Sequence, residues 1–521
     1  MDIQKLRKWI LQAFNLRGYS ISSDAATFLV NQLHPIEQSE RHEWVTKITE
    51  HLQRLSIKTL VVDRDQIELC VQECAKKAGD ADKIWNVINI FEVPRFNYCN
   101  DKHKYVQDTS DQTRSLFSDA SNKIFMYRRR YNLIFQRTKR HNLFRQQKLV
   151  NPEKPVFVLR TVEWFLCCTD KIENAVLVGL LVQKNETSYS VEDLTGSLQL
   201  DMSNAKFHDG LFPEHSIVLI EGVYQDKIFH VHGIGFPPTE PSSKSRAYFG
   251  NVNTFGGPSE TDLTQCPNLR KIQNKNPDAM IVFISDVWLD KLEVREKLRV
   301  LFSGFKEHPP LAFVLIGNFL FSHKGPQNAE NLKAGLKALS EIISREKAIL
   351  DNSRIVLVPG PSDPGSPHIL PRAPLPEVLS ESLTSLGPKV VLATNPCRIQ
   401  YCNREIVVIR EDLINKMCRN TLHFPKSDDI QTHFVKTIIS QGTLVPLSPN
   451  VCPVYWNFSH CLDIYPLPDL IVTADQFNAF TVNYSDCKVV NPGSFMKSGF
   501  SFRVYLPQAN EIEESVIPDD I

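Results

Sequence analysis

Six short apolar segments in the second half of the chain constrain the fold more than any other feature of the sequence. Each is rich in Val, Ile and Leu, and a stripe of Leu332, Leu336 and Leu339 at helical spacing separates two of them. Because short apolar strands that alternate with amphipathic helices build layered sheets, residues 241–521 predict a layered α/β domain. The predicted strands are 280–285, 311–316, 354–358, 389–393, 405–409 and 470–472.

Residues 155–240 have a different character, with short strand-like segments at the spacing of a small OB-like β-barrel. Such barrels often bind single-stranded nucleic acid through aromatic side chains in a basic groove. Here the strand residues are mostly aliphatic and acidic residues recur, which favours a structural or protein-docking barrel over a DNA-binding one. The predicted strands are 156–162, 176–182, 188–192, 197–201, 216–221 and 227–232.

The first 75 residues carry amphipathic patterns at helical spacing, and they predict a small helical bundle. Leu6, Ile10 and Phe14 share one face of the first predicted helix. Cys70 and Cys74 fall on the apolar face of the last one, so packing in the core is favoured over metal binding for these two thiols.

Within residues 76–154 the helical periodicity weakens from about 76 to 114, and 100–114 is polar and charged, so we interpret this stretch as a linker. A basic segment follows, with no acidic residue between Asp119 and Glu153. Apolar residues interleave with the basic ones at helical spacing. Two interpretations stay open: a basic helix face on a phosphate backbone, or a solvated helix packed on the following domain, which is favoured. The candidate DNA contacts are Arg128, Arg129, Arg130, Arg137, Lys139 and Arg140.

Charge and cysteine usage exclude several classes of protein. The 59 Lys and Arg residues balance the 59 Asp and Glu residues, so no global basic field draws the chain onto nucleic acid or lipid. The 12 cysteines form no Cys-x-x-Cys pair, which argues against a zinc finger and for reduced thiols. No apolar run approaches the roughly 18 residues of a membrane span, and the N-terminus lacks a secretory pattern. We therefore expect an intracellular protein without a membrane partner.

Polar and Gly-containing loops follow the predicted strands of the α/β domain, at the end of the sheet where such domains place their chemistry. These loops are 285–288, 317–318, 360–363, 474–477 and 491–494. Their order resembles the calcineurin-like metallophosphoesterase family, whose loops read Asp-x-His, Gly-Asp, Gly-Asn-His-Glu or -Asp, and Gly-His-x-His. The resemblance implies a site for two divalent cations, which needs a bridging carboxylate and several imidazoles.

The positions that match the ligands of this family are degenerate. Trp288 stands where the first His belongs, and Asn318 replaces the bridging Asp with a neutral amide. For Asp286 and Asp475, a role in a turn or a helix cap is favoured over a cation site. The degenerate positions are Asp286, Trp288, Asn318, Pro361, Ser362, Asp475 and Phe477. We predict no catalytic residue, no metal and no cofactor.

An OB-like barrel followed by a phosphoesterase-like domain without its ligands resembles the B subunits of the eukaryotic replicative DNA polymerases. Residues 1–74 are similar to the N-terminal domain of the epsilon branch of that family, so the resemblance extends over the whole chain. It implies a nuclear, non-catalytic accessory subunit in chromosomal replication and repair synthesis. The implied partners are the zinc-bearing C-terminal domain of the polymerase epsilon catalytic subunit, the small histone-fold subunits, GINS and the replicative helicase through the N-terminal bundle, and DNA within the complex.

The prediction is therefore a multidomain α/β protein with a lid-domain-like helical bundle (1–75), a linker and basic helical segment (76–154), an OB-like barrel (155–240) and an inactive phosphoesterase-like domain (241–521). Two other functions stay open from the residues alone. One is a divergent metal-dependent phosphodiesterase or nuclease that uses Asp286 and Asp475. The other is an autonomous single-strand DNA-binding module that uses the basic segment and the barrel.

Overall fold

The computed structural model describes residues 3–34, 38–54, 61–75, 84–108, 115–144, 157–322, 325–365 and 367–518. The chain divides into two compact units, Met1–Asp82 and Lys83–Ile521. Within the described ranges, no helix is both long enough and apolar enough to cross a membrane. Each unit has its own apolar core.

The first unit is helical, as predicted. One face of each helix faces a common core, to which Leu6, Leu29, Ile48 and Cys70 contribute fully buried side chains. Cys70 thus packs as expected, whereas the side chain of Cys74 lies outside the described part of the chain. The elements are α1 (Ile3–Asn15), β1 (Ser20–Ile21), α2 (Ser23–Leu33), α3 (Gln38–Arg54), β2 (Val61–Val62) and α4 (Arg64–Ala75).

The stretch interpreted as a linker contains ordered strands in the second unit. Trp85 and Ile88 are buried, and burial of these two large side chains accounts for the order of the first strand. Residues 76–83 and 109–114 of the predicted linker, and residues 145–154 at the end of the basic segment, lie outside the described residues. The elements are β3 (Trp85–Ile88), a 3₁₀ turn (Ile90–Glu92), β4 (Phe96–Cys99), β5 (Lys104–Gln107) and α5 (Ala120–Arg140).

The barrel follows α5. Its strands run in the order β10-β12-β11-β7-β8-β9, β6 pairs with β7, and an additional pairing of β12 with β9 closes the sheet on itself. The elements are β6 (Leu159–Arg160), α6 (Val162–Cys167), β7 (Ile172–Gln183), β8 (Tyr189–Glu192), β9 (Ser197–Asp201), β10 (Lys206–Phe207), β11 (Ile217–Gln225) and β12 (Ile228–Gly235).

The first predicted barrel strand, 156–162, is only partly formed: Leu159–Arg160 make β6, the short helix α6 begins at Val162, and residue 156 lies outside the described residues. Thr161 caps α6, because its hydroxyl accepts a hydrogen bond from the backbone N–H of Trp164 at 3.4 Å. Val162 and Phe165 then face the barrel core from one side of the helix. The cap therefore marks the point where the short strand ends and the helix begins.

The described residues of the α/β domain, with β3, form two six-stranded sheets. The first has the strand order β16-β15-β14-β13-β22-β23 and the second β20-β21-β19-β18-β17-β3. The strands are β13 (Ile281–Ser285), β14 (Ala312–Ile316), β15 (Arg354–Val358), β16 (Val390–Leu392), β17 (Cys397–Tyr401), β18 (Arg404–Arg410), β19 (Leu470–Ala474), β20 (Phe480–Tyr484), β21 (Cys487–Asn491), β22 (Ser501–Leu506) and β23 (Glu511–Val516).

Apolar side chains from both sheets form a shared core between them, and helices cover the outer faces. β13 to β16 are parallel, as the alternation of strands and helices predicted. The multidomain α/β fold class is therefore confirmed. The helices are α7 (Ser242–Ala247), α8 (Pro267–Lys275), α9 (Leu292–Gly304), α10 (Asn328–Ser344), α11 (Lys347–Asn352), α12 (Glu377–Thr384), α13 (Leu413–Asn420) and α14 (Ile430–Gln441), with a 3₁₀ helix at Trp456–Leu462.

Candidate functional site

The carboxyl ends of β13, β14, β15, β18 and β19 meet at one edge of the two sheets. Asp286 follows β13 directly, with a φ of 55° that non-Gly residues seldom adopt. Its Oδ1 accepts a hydrogen bond from the backbone N–H of Asn318, in the loop after β14, at 3.3 Å. The loops that the sequence singled out after β13 and β14 are thus in direct contact.

Arg410, the last residue of β18, lies at the centre of this edge and is fully buried. Its Nη2 donates to Asp286 Oδ1 at 2.9 Å, its Nε to the Gly317 carbonyl at 2.8 Å, and its Nη1 to Asp412 Oδ1 at 2.8 Å. Burial lowers the pKa of Arg410, but the carboxylates of Asp286 and Asp412 more than offset it, so the pKa lies above its usual value. A permanent cation from the chain itself therefore neutralises this site.

The loops after β14 and β15 approach each other very closely. Asn318 Oδ1 accepts from the N–H of Ser362 at 2.9 Å, and Asp363 Oδ1 accepts from the N–H of Phe319 at 2.7 Å. A Cβ on Gly317 would lie 2.1 Å from Asp363 Oδ2, so only glycine fits there. Burial raises the pKa of Asp363 to about 6, although its hydrogen bonds from backbone N–H groups act in the opposite direction.

Asp475, after β19, holds the start of α13. Its Oδ2 accepts from the backbone N–H groups of Leu413 at 2.7 Å and Ile414 at 3.0 Å, and its Oδ1 accepts from Phe477 N at 2.9 Å. Burial raises the pKa of this carboxyl also to about 6. The geometry is that of a helix cap, the role that the sequence favoured for this residue.

The remaining degenerate positions are packed into the fold. Trp288 is buried, and its ring contacts Phe321 edge-on with centroids 4.9 Å apart. Pro361, Ser362 and Phe477 are half-buried. The side chains at these positions serve as packing or loop contacts in the described structure.

The resemblance of these loop sequences to the calcineurin-like family implies a pair of metal ions, and the residues present do not fit one. The guanidinium of Arg410 occupies hydrogen-bonding positions on Asp286 that a cation would require. Among the described residues, His, Cys, Asp and Glu side chains form no group of three that could hold a metal ion. Repulsion from a buried, permanently charged arginine opposes binding of a divalent cation at this point.

The candidate DNA contacts on α5 divide into two sets. Arg129, Arg130 and Arg137 are buried, and Arg140 is half-buried. Arg128 and Lys139 are exposed on the opposite face of the helix. Contact with DNA by any of the six stays a prediction, and only the two exposed residues present their charges to solvent.

The inward arginines anchor α5 to the α/β domain and to the end of the barrel segment. Arg129 forms a two-pronged ion pair with Asp463. Arg137 donates to the Ser440 carbonyl at 2.6 Å. Arg140 donates to Glu240 Oε1 at 2.7 Å. Each guanidinium finds its partner far along the chain. The helix therefore packs on the folded body as the favoured interpretation expected, but three of its arginines are buried and not solvated.

The sequence analysis did not single out two residues at the strand ends, Asp363 and Arg410. Asp363 belonged to a recognised loop but was not singled out. Arg410 directly follows the predicted strand 405–409, and a charged residue after a buried strand was the available signal. No motif of the phosphoesterase family points to an arginine there, so spacing alone gave no reason to choose it.

Models of known protein families match three regions that together cover most of the chain. A model described as DNA polymerases epsilon N terminal matches residues 2–74. One described as DNA polymerase epsilon subunit 2-like, OB-fold domain matches 120–238, and one that describes the B subunit of DNA polymerases alpha and epsilon matches 281–482. Each match falls on a separate part of the fold described above.

Individual proteins are similar over their full length. The DNA polymerase epsilon subunit 2 of Bos taurus and that of Homo sapiens are each 44% identical to this chain over 522 residues, which is 99% of both sequences. The subunit 2 of Drosophila melanogaster is 41% identical over 528 residues, covering 100% of this chain and 99% of the relative.

Proposed function

Because the chain belongs to the DNA polymerase epsilon subunit 2 family, and is therefore an accessory subunit of that replicative polymerase, we propose that it holds the zinc-bearing C-terminal domain of the catalytic subunit. The family is the non-catalytic B subunit, so DNA synthesis belongs to another subunit of the complex. The barrel and the α/β domain form the scaffold for this contact.

The observation that carries the proposal is the guanidinium of Arg410 at the strand ends. A site that retained metal ligands would favour a hydrolytic role for the α/β domain. An internal ion pair in their place supports a rigid body, because it fixes loops from β13, β14 and β18 to one another. A stable partner interface usually buries more than about 2,000 Å², and a stiff two-domain surface suits one of that size.

The other parts of the proposal follow the family and the layout of the chain. The N-terminal bundle contacts GINS and the replicative helicase, and the small histone-fold subunits complete the holoenzyme. The complex works in the nucleus, in chromosomal replication and repair synthesis. Arg128 and Lys139, the exposed basic residues of α5, contact DNA within the complex.

Pairwise co-purification tests the central contact. The full chain is co-expressed with the C-terminal domain of the polymerase epsilon catalytic subunit, and we expect the two to co-elute in size-exclusion chromatography at 1:1 stoichiometry. The corresponding domain of the polymerase alpha catalytic subunit is the control, and it should elute separately. Separate elution of the epsilon domain as well would refute the scaffold role.

The competing hypothesis of a metal-dependent phosphodiesterase is tested on the chain alone. We expect elemental analysis to find no stoichiometric manganese, iron or zinc, and no hydrolysis of bis-p-nitrophenyl phosphate across a manganese titration. Chelator-sensitive hydrolysis, together with about two bound metal equivalents per chain, would favour the enzyme.

A further inference from the structure

The last strand of the α/β domain, β23, lies at the edge of its sheet. Within the described residues it pairs with β22 and with no other strand. Edge strands present a row of free backbone N–H and C=O groups that a strand from another chain can join. Over the six residues of β23, this edge is about 20 Å long.

The ladder between β22 and β23 indicates which backbone groups face outward. Ile517 N donates to the Phe500 carbonyl at 3.3 Å, just past the last paired residues of the hairpin. Hydrogen-bonded and non-hydrogen-bonded pairs alternate along an antiparallel ladder. Ile517 is hydrogen-bonded to the residue directly before β22, so Val516, Glu514 and Ile512 fall in the non-hydrogen-bonded pairs of the ladder. The backbone groups of these three residues therefore point away from β22, toward the open edge.

An apolar groove lies beside the end of this strand. Its volume is about 630 Å³, and Val516 at its margin is 58% exposed. Lys297 of α9 donates to the Pro518 carbonyl at 2.8 Å and holds the chain end against the helix. The groove is lined mainly by Val300, Phe305, Phe502, Val516, Ile517 and Pro518, with Arg299 on the helix side. Its apolar lining can accept an aliphatic side chain next to an added strand.

The charges on β23 determine what kind of strand fits. Glu514 pairs with Arg503 at 2.7 Å. Glu511 and Glu513 are exposed and form no ion pair within the described part of the chain. These two carboxylates lie two residues apart, so they project from the same face of the strand. They repel a second copy of this edge and attract a strand with cationic side chains at the same spacing.

We propose that β23 receives an extended basic segment of another subunit of the polymerase epsilon complex, which adds to the sheet as a further strand. Main-chain hydrogen bonds to the outward groups hold the segment in place. Lys or Arg side chains lie opposite Glu511 and Glu513, and an aliphatic side chain next to Val516 enters the groove.

Amide hydrogen exchange in the complete polymerase complex tests this proposal. The exchange of residues 511–516 is compared between the chain alone and the purified complex containing all its subunits. We expect the amides of Ile512, Glu514 and Val516 to exchange at least about tenfold more slowly in the complex, because an added strand hydrogen-bonds them. Equal exchange rates in the two samples would overturn the proposal.

A charge reversal tests the chemistry of the added strand. The double variant Glu511→Lys/Glu513→Lys changes exposed side chains, so the fold is retained, and the protection in the complex should fall by about tenfold or more. The matched control Glu296→Lys/Glu307→Lys makes the same charge change at exposed positions on α9 and just beyond it, and should leave the protection unchanged. If protection is unchanged in Glu511→Lys/Glu513→Lys, or is lost equally in Glu296→Lys/Glu307→Lys, then the strand that adds to β23 is not a basic segment held by Glu511 and Glu513.

Discussion

The strand ends around Arg410 and the helix α5 show the same arrangement with the charges exchanged. At the strand ends, the carboxylates of Asp286, which matches a metal-ligand position, and of Asp412 bind a buried arginine. On α5, arginines that resemble phosphate contacts reach buried or half-buried carboxylates and carbonyls. In both regions, the sequence raised an external partner as the less favoured alternative for charged residues, and the structure supplies a partner from within the chain.

The two regions differ in how completely they are closed. Arg410 and Asp286 are withdrawn from solvent altogether, at 0% and 1% exposure. The helix α5 keeps one face open, where Arg128 and Lys139 are exposed. Internal pairing therefore accounts for the buried charges around Arg410 but for only some of the arginines of α5. The exposed basic residues of α5 remain available to bind a partner.

The largest effect is expected at the closed site. Arg410→Met should lower the free energy of unfolding by about 4 kcal/mol, because it leaves the carboxylate of Asp286 buried without its cation. Urea denaturation followed by circular dichroism measures the change. Arg419→Met, at an exposed position on α13, is the matched control and should stay within about 0.5 kcal/mol of the parent.

Restoring neutrality sharpens this first prediction. Adding Asp286→Asn to Arg410→Met removes the buried negative charge, so part of the lost stability should return. If Arg410→Met were no more destabilising than Arg419→Met, the internal cation would not be what holds the strand ends together.

The next largest effect is expected on α5, where adjacent residues provide a comparison. Arg129→Met should cost about 3 kcal/mol of unfolding free energy, since Asp463 loses its partner in a site that is mostly shielded from water. Arg128→Met, one residue earlier and exposed, should change it by no more than about 0.5 kcal/mol. Equal costs for the two would mean that burial does not distinguish the arginines of this helix.

A smaller effect concerns the pH dependence of stability at the closed site. Burial raises the pKa of Asp363 to about 6, from 3.8 in the unfolded chain, so the folded state binds this proton more tightly. Stability contributed by this group therefore increases as the pH falls from 7 to 5, by about 1 kcal/mol. The difference in unfolding free energy between the parent and Asp363→Asn should change by that amount over this range.

A variant without a titrating group checks the pH experiment. Ser362→Ala lies in the same loop, so its effect on unfolding free energy should be the same at pH 5 and pH 7. A flat profile for Asp363→Asn as well would show that the carboxyl does not take up a proton in the folded protein over this range.

The smallest effect is expected on the open face of α5. Arg128→Ala/Lys139→Ala should reduce the log–log salt slope of DNA binding by the complete complex by about 1.8, as loss of two phosphate contacts requires, and weaken binding by about threefold at roughly 0.5 M salt. Fluorescence anisotropy with a labelled primer–template at several salt concentrations measures both. Arg270→Ala/Lys271→Ala makes the same charge change at exposed positions on α8 and should have no effect. An unchanged salt slope in Arg128→Ala/Lys139→Ala would show that these two residues of α5 do not contact DNA.

The sequence predicted layers and strands well because their apolar periodicity is local. Strands 197–201 and 354–358 agree residue for residue with β9 and β15. It did not predict β3 or Arg410, because both depend on partners hundreds of residues away. Nothing near Trp85 indicates that Tyr401 will pair with it, and nothing near Arg410 indicates that Asp286 will accept its hydrogen bonds. The sequence identified loops that lie together at the strand ends, but it could not show that the guanidinium of Arg410 lies between them.

The pairing of β3 with β17 has a consequence during protein synthesis. Asn86 and Gln400, which are hydrogen-bonded across these strands, are 314 residues apart. At roughly 5–20 residues per second, the ribosome exposes β3 about 15–60 s before its neighbour in the sheet has been made. The second sheet of the α/β domain therefore gains its outermost strand late, from a segment synthesised before the barrel. Until then Trp85 and Ile88 lack the strand beside which they are buried in the finished protein, so these two apolar side chains reach their full burial only after β17 has been made.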